Sequence, residues 1–129
     1  MKTYNRNVDI LSEFKLGPYK AWPRSTKRID TIIWMPCVAY TEDADFPDEW
    51  VNLLSKDGKS IYEKFPKGDV KKRQWQVSER NRKLLRVVYA SILPNGKTGN
   101  RQVRKYRFLG LFMFDRTDAE GVHYRKIEA

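Results

Sequence analysis

The chain has 129 residues, 40% of them apolar and 13% aromatic, with 26 Lys and Arg against 16 Asp and Glu for a formal net charge of +10. That length suits one domain burying about two-thirds of its extended surface, and the aromatic content excludes a disordered polyelectrolyte. A single cysteine, Cys37, and a single histidine, His123, exclude an intrachain disulfide framework and a thiolate or histidine-rich zinc site.

Taken in order, the polar opening 1–7 has no signal-peptide core and no stretch is apolar enough to span a membrane, so a cytoplasmic, membrane-free protein is expected. Ile10, Leu11 and Phe14 fall at helical spacing and predict a short helix over 8–14. Pro18 and Pro23 end it, and Tyr19, Trp22, Arg24, Lys27 and Arg28 form a basic and aromatic loop, so that 1–28 precedes a barrel over 29–129 within one domain. Residues 29–38 read as a buried strand carrying Trp34, interrupted or ended at Pro36. The stretch 41–49 holds five acids and no base, which suits a solvated loop.

Residues 50–55 and 60–65 are strand-like and flank Lys56-Asp57-Gly58-Lys59, where Asp-Gly supplies the positive φ of a tight hairpin. The segment 71–83 lacks a clean period and reads as a loop or an irregular helix. Strands over 84–93, 103–114 and 122–127, joined by turns at 94–100 and 118–121, predict an antiparallel meander. In the middle strand Tyr106, Phe108, Phe112 and Phe114 share one face and Leu109, Leu111 and Met113 the other, with Gly110 marking a bend. A strand apolar on both faces is covered on both. The fold class is therefore mainly β (α+β): a compact, strongly bent antiparallel barrel with one or two short helices.

The charge is not spread evenly. Residues 1–70 are neutral, whereas 71–107 carry 12 basic side chains against the single acid Glu79. Basic side chains mounted on a sheet neutralise phosphates and release counterions. Lys71, Lys72, Arg73, Arg101, Arg104 and Lys105 are thus the candidate phosphate-binding residues of a nucleic-acid-binding module, with DNA favoured over RNA. Trp22 and Trp34 are the first choices for stacking an unpaired base, ahead of Trp75.

Catalytic patterns are weaker. Pro47-Asp48 with Asp57-Gly58-Lys59 matches the carboxylate and lysine pattern of Mg-dependent nucleases, but the hairpin turn already explains Asp57-Gly58. Cys37 and His123 would need the fold to bring them together to act as a nucleophile pair. No phosphate-binding glycine loop is present. No catalytic residue, metal or cofactor is assigned. The rival readings are a small regulator or inhibitor of a nucleic-acid enzyme and a nuclease through Asp48, Asp57 and Lys59.

The combination Trp50-x-Asn52-x-x-Ser55-x-Asp57-Gly58-Lys59-x-Ile61-x-Glu63, then 86–90, 106–112 and 124–127, resembles the PUA-like β-barrel modules found beside nuclease domains in bacterial restriction-type proteins. The resemblance implies a pseudo-barrel that grips nucleic acid through basic loops and accepts a flipped, modified base in an aromatic pocket. It places Trp34, Trp50, Asn52 and Asp57 at that pocket or its rim, and implies a nuclease domain or subunit as partner.

Overall fold

The computed structural model describes residues 3–4, 31–47, 49–97 and 105–127. The strands are β1 (Thr3–Tyr4), β2 (Thr31–Trp34), β3 (Cys37–Ala39), β4 (Asn52–Leu54), β5 (Ser60–Lys64), β6 (Leu85–Ile92), β7 (Tyr106–Thr117) and β8 (Gly121–Ile127). Two short helices, α1 (Val70–Gln76) and α2 (Glu79–Lys83), connect β5 to β6. The helix expected over 8–14 lies outside the described residues.

Strands β7, β8, β5, β4, β3 and β6 pair in that order, and β6 pairs again with β7, so six strands close a barrel. The hairpin β4–β5 and the meander β6–β7–β8 are antiparallel, as their turn residues require. The barrel as a whole is mixed. β2 and β3 run parallel to β6 in one continuous register, Thr31 opposite Leu85 and Cys37 opposite Ser91, and β3 runs parallel to β4. A parallel pair needs a long crossover, and this one encloses β4, β5 and both helices, so local turn signals carry no trace of it. Pro36 interrupts the strand where the sequence places it. It lacks an N–H to donate, yet its carbonyl still accepts from the Ser91 N–H at 3.0 Å.

Directly opposed residues share a face of a sheet, and this fixes the interior. Trp34, Val38, Leu54, Ile61, Val88, Ala90, Phe112, Val122 and Tyr124 form the main core. A second cluster of Ile33, Tyr89 and Tyr106 lies on the opposite side of β2, β6 and β7, with Val87 and Phe108 packed on it. β7 is covered on both sides, but its faces are not those of simple alternation. Val88 pairs with Gly110 and Tyr89 with Phe108, leaving Leu109 as an extra residue. Such a bulge switches sides: Leu109, Phe112 and Phe114 join the main core while Tyr106 and Phe108 join the second cluster. Gly110 makes it possible at φ +129, a conformation L side chains rarely adopt.

The 70–83 segment is a bent helical strap rather than a loop. Asp69 caps α1 by accepting from the Lys72 N–H at 3.0 Å, and Ser78 caps α2 by accepting from the Asn81 N–H at 3.2 Å. Restarting at Ser78 bends the strap and turns Gln76 and Asn81 toward the barrel, where both are buried. Lys71, Arg73, Gln74, Trp75, Arg80, Arg82 and Lys83 stay exposed.

Candidate functional site

The interior of the barrel is not wholly apolar. Asn52 on β4 stands opposite Glu63 on β5, so both side chains share the inner face with Leu54 and Ile61. Asn52 is 2% and Glu63 5% exposed. Gln76, at the end of α1 and 1% exposed, donates from Nε2 to Glu63 Oε1 at 3.0 Å. Its backbone carbonyl accepts from Asn81 Nδ2 at 2.7 Å, and the same amide donates to the Tyr124 hydroxyl at 2.9 Å. Arg86 completes the chain, donating from Nη2 to Asn81 Oδ1 and to the Tyr124 hydroxyl.

Arg86 is the most unexpected member, because it belongs to the basic block yet is 3% exposed. No carboxylate pairs with it among the described residues; its guanidinium lies 4.6 Å from the Trp34 ring and 4.4 Å from the Tyr124 ring. Planar, weakly hydrated guanidinium suits such contact with two rings better than an ammonium would. Burial pushes the Tyr124 hydroxyl up to about 12, with the Arg86 charge opposing and Glu63 reinforcing the rise. The phenol therefore lies between two buried charges that neutral amides connect. Three buried polar atoms end the network without a hydrogen-bond partner: Asn52 Oδ1, Gln76 Oε1 and Arg86 Nε. Unmet groups of this kind are rare and each calls for an explanation.

The rim of this cluster is aromatic and charged. Trp50 precedes Asn52 by two residues, and the ladder continues past β4 through the Lys64 N–H donating to the Val51 carbonyl at 3.0 Å. α1 runs along this end of the hairpin. Lys72 Nζ lies 5.3 Å from the Trp50 ring and pairs with Glu49 and, at 3.6 Å, with Asp69. The Arg73 guanidinium lies 4.4 Å from the Phe65 ring. Trp50 is half-buried.

The structure thus brings Trp50, Asn52 and Lys72 together and separates them from others singled out in the sequence. Asp57 sits at the exposed tip of the hairpin, the end opposite to Asn52, where its Oδ1 accepts from Ser55 Oγ at 2.6 Å and from the Lys59 N–H at 2.9 Å. The Ser55 hydrogen bond, with the Lys59 amide next, holds its carboxyl below the usual range. Gly58 at φ +71 completes that turn. Trp34 is 1% exposed, and its ring meets Arg86 and, at 5.1 Å, Tyr124. Lys71, Arg73 and Lys105 are exposed. Trp22, Arg101, Arg104 and Asp48 lie outside the described residues.

Cys37 packs at the Ala39, Ala44 and Leu93 cluster, whereas His123 is held by Asp118 at 2.9 Å on the outer face of β8. No cluster of three or more metal-ligating side chains occurs among the described residues, and no described helix is long and apolar enough to cross a membrane. Sequence reading missed Glu63, Gln76, Asn81 and Arg86. Only Glu63 left a signal, as an acid two residues from Ile61 on the apolar face of a strand.

Comparison with known families settles which fold this barrel represents. The SET and RING associated domain matches residues 8–129. The chain belongs to that family. The SRA assignment agrees with the PUA-like barrel inferred from the motifs around Trp50 and Tyr106. Among solved structures, the SRA chain is similar to the 5-hydroxymethylcytosine-specific restriction enzyme AbaSI, with a TM-score of 0.64 and 25% identity. The likeness covers 98% of this chain and 38% of the AbaSI chain. No curated protein sequence matches it.

Proposed function

We propose that this SRA domain is a non-catalytic DNA-binding module that takes a flipped, modified base into the inner end of the β4–β5 hairpin. The observation that carries the proposal is the buried Asn52–Glu63 pair, two residues along the strand from Trp50, with Asn52 Oδ1 unpartnered. A carboxylate and an amide oxygen accept from an exocyclic amine such as that of cytosine. Flipping a base costs a few kcal/mol, and stacking on an aromatic ring returns about 1–3 kcal/mol. Trp50, two residues before Asn52, is the ring this reading assigns to stacking, and Lys72, 5.3 Å from it, supplies charge at the rim.

Phosphates are gripped by the exposed Lys71 and Arg73 of the strap and by Lys105 at the start of β7. Arg101 and Arg104, just upstream, belong to the same basic segment in sequence. Because the chain spans 38% of AbaSI, we further propose that it works beside a nuclease domain or subunit that does the cutting.

Duplexes differing at one cytosine, unmodified or modified, test the reading. Trp50→Ala and Asn52→Ala are each expected to lower the preference for the modified duplex by about tenfold, the scale of one stacked base or one orphaned buried partner. Binding to the unmodified duplex should change little. Equal loss on both duplexes would sink the pocket.

A further inference from the structure

The acid-rich 41–49 loop is not left to solvent. It is seated on the barrel: Ala44 is buried, its carbonyl accepts from Lys97 Nζ at 2.8 Å, and Phe46 packs on the Ala39, Ala44 and Leu93 cluster. Two of its acids thereby meet cations, Glu42 pairing with Lys64 at 2.7 Å and Glu49 with Lys72. Of the strap cations Lys71, Lys72 and Arg73, the ion pairs among the described residues fall on Lys72 alone. Asp69, its other acid, uses Oδ1 to cap α1 through the Lys72 N–H at 3.0 Å, with Oδ2 3.6 Å from Nζ. Glu49 is therefore the partner that can be exchanged without touching the cap. With Nζ 5.3 Å from the Trp50 ring, these contacts fix one cation at the rim.

We infer that Glu49 is a specificity-determining residue: by holding Lys72 at the Trp50 rim it withholds that cation from the phosphates of DNA that is not being read. The inference rests on the base-reading proposal above. A base inside the pocket brings the phosphate of its own nucleotide to the rim, within reach of a lysine that stays over Trp50. An unflipped duplex keeps its phosphates stacked along the helix, and Lys72 meets one only by leaving Glu49. Non-specific affinity is built from phosphate contacts, so one withheld contact lowers it while the read complex is left intact. The side chains of Lys72 and Glu49 are 38% and 51% exposed. Ion pairs that open to water are weak, so the exchange is worth a severalfold change in affinity rather than orders of magnitude.

The test titrates salt against binding of the whole chain, followed by anisotropy, on two duplexes that differ at one cytosine, unmodified or 5-hydroxymethylated. Glu49→Gln keeps the size of an exposed side chain and removes its charge. Affinity for the unmodified duplex is expected to rise about threefold, with the slope of log affinity against log salt steeper by about 0.9, the value of one added phosphate contact. Affinity for the modified duplex should stay near wild type, so the preference for the modified base falls by the same factor. In a Lys72→Met protein the Glu49→Gln change should do nothing, because the cation it frees is gone. An unchanged slope on unmodified DNA overturns the inference. So does an equal gain in the Lys72→Met background, which makes Glu49 a remote charge that repels DNA. An equal gain on both duplexes gives Glu49 a part in affinity and none in specificity, and likewise overturns it. Each of these outcomes leaves base reading standing; wild-type binding that ignores the modification overturns both.

Discussion

Arg86 shows how far the burial of one side chain can depart from its type. It packs against two rings and, among the described residues, its hydrogen bonds go to neutral groups only. Its removal leaves Asn81 Oδ1 without its donor, takes one of two donors from the Tyr124 hydroxyl, and opens a void where the guanidinium stood. Arg86→Ala should lower unfolding free energy by about 3 kcal/mol or more, from cavity and orphaned-partner terms together, whereas Arg86→Met should lower it less because the volume is kept. Urea denaturation of both proteins decides; equal losses would mean that the hydrogen bonds, not the packing, hold this end of the barrel. At this scale the sequence was legible only where composition constrains geometry. Asp57-Gly58 announced its turn, but Gln76, Asn81 and Arg86 are polar residues whose burial depends on contacts with Glu63 and Tyr124, and no local pattern encodes a contact across the fold.

Among the elements, the two C-terminal strands carry a second organised cluster, on the outside of the barrel. Asp118, in the turn between β7 and β8, accepts from the Tyr62 hydroxyl at 2.8 Å and pairs with His123 at 2.9 Å, while the Tyr62 and His123 rings stack 4.3 Å apart. The turn's own amides at Glu120 and Gly121 donate to the same carboxylate. The His123 contact, followed by the Glu120 amide and Tyr62, drives the Asp118 carboxyl far below its ordinary range. Burial, and then the Asp118 hydrogen bond, raises the Tyr62 hydroxyl. A depressed carboxyl stabilises the fold at pH above its unfolded value near about 3.9 and loses that contribution as pH falls through and below it. Asp118→Asn should therefore lower the melting temperature at neutral pH, and the gap from wild type should narrow below about pH 4. A gap that stays constant from neutral to acid pH would remove the electrostatic explanation. The elements themselves were read well where periodicity and turn residues agree, as in β4–β5 and the meander. For the strap the sequence allows a loop or an irregular helix, and the structure has the helix; its capping residues Asp69 and Ser78 define two short pieces too brief to show an apolar stripe.

For the whole molecule, the proposed function assigns affinity to charge and discrimination to the barrel. Lys71 and Arg73 are exposed on the strap, whereas around β5, β7 and β8 the exposed acids Glu42 and Asp115 are paired with Lys64, Arg116 and Arg125. On the binding proposal, the strap is the side that meets phosphates. Replacing Lys71 and Arg73 together with Ala should weaken binding to every duplex alike and reduce the slope of log affinity against log salt by about 2, near 0.9 per lost phosphate contact. A salt titration with modified and unmodified DNA checks this; an unchanged slope would show that phosphates are held elsewhere. The barrel was legible from the strand that is apolar on both faces, but its seam was not, since the pairing of β2 and β3 with β6 is long-range and parallel.

That seam also dictates an order of assembly. Hairpins such as β4–β5 form within about 1–10 μs, but strand 31–39 must find strand 85–92 across everything between them, so loop-closure entropy makes their meeting slow. Asn52, Glu63 and Gln76 acquire their shared interior only once the ring is shut. If that interior reads the base as proposed, a chain whose ring is still open holds all of its positive charge and none of its selectivity, and clings to DNA without reading it.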